Sequence, residues 1–63
     1  MNKTYEFYTL FMRGEIVLCE DRGLEIARIQ NRPEGRELFK MIKQQIRNDG
    51  GKLLNLDKGE WVI

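Results

Sequence analysis

Between Asn31 and Gly51 the chain carries its one long segment of helical periodicity, and that segment constrains what every other residue can do. Leu38, Phe39, Ile42 and Ile46 fall on one side at about 100° per residue, with Met41 at one edge of the stripe. Both ends carry stop signals. Asn31 and Glu34 have the spacing of a capping box, and Pro33 suits a first turn, where its missing N–H is no loss. Asp49-Gly50-Gly51 supplies a residue able to take left-handed backbone just past the last turn. The spacing predicts one amphipathic helix, whose apolar face requires a sheet to lie on. Arg36, Lys40, Lys43 and Arg47 occupy an arc of about 60°, roughly 120° round from the apolar stripe, and form a separate basic ridge.

The segments on either side read as short strands. Thr4 to Met12 is dense in aromatic and β-branched residues, and Arg13-Gly14 is read as a two-residue hairpin loop leading into Glu15 to Glu20. Asp21-Arg22-Gly23 is read as a second loop, followed by a third strand from Leu24 to Gln30. After the helix, Lys52 to Leu56, the loop Asp57-Lys58-Gly59 and Glu60 to Ile63 predict a final hairpin. The expected fold is α+β: a three-stranded antiparallel meander, one amphipathic helix packed on it and a short C-terminal β-hairpin. At 63 residues this is a single domain over 1–63, near the size at which one core is only marginally sufficient.

A two-residue loop at Arg13-Gly14 sets Phe11 opposite Ile16 and Thr9 opposite Leu18 on one face. That face, with Tyr5, Phe7, Leu24 and Ile26, is expected to lie under the helix. The other face then holds Tyr8, Leu10, Val17, Cys19, Ala27 and Ile29, and one helix covers only one side of a sheet. Either the C-terminal hairpin, with Trp61, Val62 and Ile63, folds over this second face or another chain does. These six residues are the candidate protein interface.

Charge is unevenly distributed within a net +1. Residues 1–25 carry −2, residues 26–52 carry +4 and residues 53–63 carry −1, so the excess positive charge belongs to the helix and its entry loop. Arg28, Arg32, Arg36, Lys40, Lys43 and Arg47 are accordingly the candidate nucleic-acid contacts, with Lys52 nearby; from Arg36 to Arg47 the ridge spans about 16 Å at roughly 1.5 Å per residue.

Catalytic and metal chemistry find little support. The chain has no histidine, which removes the usual general base, the commonest metal ligand and the histidine-dependent triads. Its single cysteine, Cys19, has no base partner in the sequence and reads as a small core residue. Glu20-Asp21 sits at a turn, where adjacent acids are ordinarily solvated, and no zinc or calcium spacing occurs. Gly50-Gly51 follows a helix, whereas a phosphate cradle precedes one. No cofactor and no metal are expected. With 41% hydrophobic and 33% charged residues, no apolar run of membrane-spanning length and no leader-like start, the sequence reads as a globular cytoplasmic protein. The function expected is therefore that of a small non-enzymatic binding protein, a regulator or inhibitor acting by protein–protein contact. A nucleic-acid binder using the basic ridge is the alternative, and a self-contained homodimer ranks third.

Overall fold

The computed structural model describes residues 3–20 and 23–63. In chain order its elements are β1 (Thr4–Leu10), β2 (Glu15–Glu20), β3 (Leu24–Gln30), α1 (Pro33–Asn48), β4 (Lys52–Asn55) and β5 (Glu60–Trp61). The expected α+β order is present, with all five strands in one sheet ordered β3-β2-β1-β4-β5. β1, β2 and β3 form the antiparallel meander, and β4 joins the free edge of β1 in parallel. That parallel pairing follows from α1, which carries the chain back across the sheet before β4 begins. β5 then pairs antiparallel with β4, so the C-terminal hairpin extends the sheet and does not fold over it.

The first hairpin turns through four residues, Phe11 to Gly14, and not two. The N–H of Arg13 donates to the carbonyl of Leu10 at 3.1 Å, and Leu10 pairs with Glu15. Tyr8 thus opposes Val17 and Phe7 opposes Leu18, a register two residues away from the expected one. Because side chains alternate with a period of two, an even slip leaves every residue of β1 and β2 on its expected face.

β3 behaves differently. Glu20 pairs with Leu24 and Cys19 with Glu25, but Leu18 pairs with Ala27 and Ile16 with Ile29, so Ile26 is an extra, unpaired residue. This bulge reverses the alternation along the rest of the strand. Ala27 and Ile29 therefore point toward α1 and not to the opposite face, while Ile26 is half-exposed. Asp21 and Arg22, on which the second loop was placed, lie outside the described residues.

Between α1 and the sheet, Ile16, Leu18, Ile29, Phe39, Ile46 and Leu53 form the buried core, with Tyr5, Phe7, Ala27, Ile42 and, at the sheet edge, Ile63 packed around it. The Phe7 and Phe39 rings meet edge to face at 4.9 Å between centroids, a favoured aromatic geometry. Leu38 and Met41 remain largely exposed, so the helix buries a narrower stripe than its sequence suggests.

The helix starts one residue later than the capping box requires. Arg32 is the N-cap and makes no side-chain capping bond, while Pro33 opens the first turn. Asn31 instead receives Nη1 of Arg36 on its side-chain and main-chain oxygens at 3.3 and 3.2 Å. At the far end Gly50 has φ 76°, its N–H donates to Arg47 and that of Gly51 to Ile46. These two bonds are a Schellman closure that satisfies carbonyls left over from the last turn.

Candidate functional site

Two surfaces stand out once the elements are in place. The first is the sheet face turned away from α1. Alternation and register put Thr4, Glu6, Tyr8 and Leu10 of β1 on it, with Glu15, Val17 and Cys19 of β2, Lys52 and Leu54 of β4 and Trp61 of β5. No helix or loop of the described residues crosses this face, yet Val17 is 0% exposed and Cys19 only 3%. Val17 lies between its cross-strand partners Tyr8 and Arg28, and Cys19 between Glu6 and Glu25.

Arg28, on the same face, is tied to two carboxylates. Its Nε donates to Oε2 of Glu25 at 2.7 Å, Nη2 to Oε1 of Glu25 at 3.1 Å and Nη1 to Oε1 of Glu15 at 3.4 Å. The hydrogen bonds and charge of the guanidinium hold the Glu25 carboxyl below the usual carboxylate range, and those same carboxylates push Arg28 still higher. Burial, with the negative charges of Glu6 and Glu25 adding to it, pushes the Cys19 thiol up. A raised thiol beside two acids is a poor nucleophile, so Cys19 is a packed residue here.

Of the six candidate interface residues, the structure brings Tyr8, Leu10, Val17 and Cys19 together on this face. It removes Ala27 and Ile29 to the core side, for the bulge described above, and buries Val17 and Cys19 beyond reach of a partner. What a partner would meet lies toward β5, where Trp61 is 59% exposed on the same face. Trp61, Lys52 and Ile63 line a hollow of about 230 Å³ there. The sequence left open whether the hairpin carrying Trp61 folds over this face or another chain does. The signal that Trp61 is itself the exposed group lay in the parallel placement of β4, which no local pattern encodes.

The second surface is the basic flank of α1. Lys40, Lys43, Gln44 and Arg47 face Val62 across a groove of about 240 Å³. Lys43 is half-buried, with Nζ 5.3 Å from the centroid of Phe39, a cation–π distance. No carboxylate of the described residues lies within ion-pair distance of Lys40, Lys43 or Arg47. The other basic candidates part from this group. Arg28 belongs to the opposite face and is held by two carboxylates, Arg32 is the exposed N-cap, and Arg36 is folded back on Asn31. A third hollow, at the C-terminal end of α1, is lined by Lys3, Tyr5, Asp49 and Gly51 and so mixes both signs of charge.

Among the described residues no three His, Cys, Asp or Glu side chains gather into a metal-binding cluster. No helix of the described residues is long and apolar enough to cross a membrane. No protein-family model, curated protein or solved structure matches the chain.

Proposed function

We propose that the chain is a small non-enzymatic binding protein, a regulator or inhibitor that acts by seating the open sheet face on another protein. The observation that carries this reading is Trp61, a large aromatic side chain left exposed beside a hollow on a face that no helix or loop of the described residues crosses. Tryptophan is among the residues that most often anchor protein interfaces, and Tyr8, Leu10 and Leu54 continue an apolar surface from it across β1 and β4. The group that fits the hollow is an apolar side chain with a carboxylate beside it, which would meet Lys52. The absence of histidine and the raised, buried thiol of Cys19 favour binding over catalysis. The compartment proposed is a reducing cytoplasm, where a single buried thiol is stable.

Affinity capture from a nuclease-treated lysate of the source cell, with the parent chain and Trp61→Glu in parallel, tests the reading. A protein retained stoichiometrically by the parent and lost with Trp61→Glu is the expected result. Retention of the same proteins by both chains would remove the open face from the function. A parent that captures only itself would make the partner a second copy.

A further inference from the structure

We propose that the groove between α1 and Val62, just past β5, binds the phosphodiester backbone of a nucleic acid, without reading its bases. The groove lies on the helix side of the sheet, opposite Trp61, so this is a separate site from the protein-binding face and does not rest on it.

Its lining is three cations, one amide and one apolar side chain: Lys40, Lys43, Arg47, Gln44 and Val62. Basic residues on a helix are commonly just solvated, but these three differ in two respects. They border a concavity, and none is neutralised by an acid of the described residues. Lys43 is also positioned, because its ammonium rests against the Phe39 ring and its aliphatic stem is half-buried. From Lys40 to Arg47 the row runs about 10 Å at roughly 1.5 Å per residue. That is enough to follow about three phosphates at 3.4 Å of rise per strand.

A row of three cations complements a run of phosphates: the two lysines act as point charges on phosphate oxygens and Arg47 adds a fork that matches two of them. No aromatic ring lines the groove. Bases therefore have nothing to stack on, and neither sequence nor strand number is selected.

The test is fluorescence anisotropy with a labelled 20-base-pair duplex and the matching single strand, using the parent, Lys40→Glu/Arg47→Glu, Lys40→Gln/Arg47→Gln and Trp61→Ala. Both double variants leave Lys43 on Phe39, and thermal melting reports whether each stays folded; the Gln pair removes charge without reversing it, should the Glu pair unfold. Binding of both oligonucleotides at about 50 mM salt is expected, falling about 20- to 40-fold by 200 mM, as release of counterions from about three phosphates requires. Binding should be lost in a folded double variant and unchanged in Trp61→Ala. No binding at tens of micromolar protein would overturn the proposal, as would a folded double variant that binds like the parent. Competition by polyglutamate as strong as that by an oligonucleotide of equal charge would also overturn it, in favour of an acidic protein segment.

Discussion

At Gly35 two effects oppose each other, and their sizes decide the outcome. Alanine in place of a glycine within a helix ordinarily stabilises by up to about 1 kcal/mol through backbone entropy. Here, however, an added Cβ would fall 1.8 Å from the carbonyl oxygen of Gln30 and 3.2 Å from Cγ2 of Ile29. The obstacle is backbone, so no side chain can swing aside, and overpacking of this kind costs about 1–3 kcal/mol or more. Gly35 is thus the point at which the start of α1 lies flush against the end of β3. Gly35→Ala is expected to melt lower than the parent, by about 4–8 °C per kcal/mol lost in a domain of this size. A variant that melted at or above the parent would mean that the helix start is free to lift off the sheet. Arg28 shows a related economy at residue scale: one guanidinium bonded to Glu25 and Glu15 sits on the strand position paired with Val17, on a face that no helix or loop of the described residues crosses.

At the scale of elements, what was legible in the sequence was whatever depends on near neighbours. The helix, the strand segments and the glycine closure at Gly50-Gly51 all follow from local periodicity and turn chemistry. The extra residue at Ile26 was not legible, because a bulge satisfies cross-strand partners and leaves no mark on its own strand; it alone moved Ala27 and Ile29 to the core side. The parallel pairing of β1 with β4 is likewise a contact across most of the chain, and it decided where Trp61 lies. Helix burial was half-legible. The apolar stripe was found, but Leu38 is 50% exposed while Phe39 is 6%. The two adjacent positions therefore separate a core residue from a surface one. Phe39→Ala is expected to cost about 3–5 kcal/mol, a large share of the stability of a small domain, and Leu38→Ala under about 1 kcal/mol. Chemical denaturation of both variants checks this, and equal losses would mean that the helix is rotated from the orientation described.

At the scale of the whole molecule, the surface is larger than its mass calls for. A folded monomer of 7.5 kDa is expected to expose about 4200 Å². This chain exposes 4751 Å² and extends 34 Å along its long axis. Exposed apolar area lies at the β1–β2 loop tip with Phe11 and Met12, on β3 and α1 with Leu24, Leu38 and Met41, and around Trp61 on the open sheet face. A stable interface buries roughly 800 Å² per partner, and on the open face Val17 and Cys19 are already buried, so the chain alone should associate only weakly. Sedimentation velocity is expected to show a monomer at low micromolar concentration and a growing dimer toward the high micromolar range. Trp61→Asp should abolish that dimer without lowering the melting temperature, because it places a charge in the apolar contact but disturbs no buried residue. Val17→Asp, on the same face but fully buried, should instead unfold the chain. A dimer that survived Trp61→Asp and disappeared with Phe11→Ser/Met12→Ser would assign the contact to the loop tip. A strict monomer up to about a millimolar would show that the polar side chains flanking Trp61 suffice to keep the open face in water without a partner.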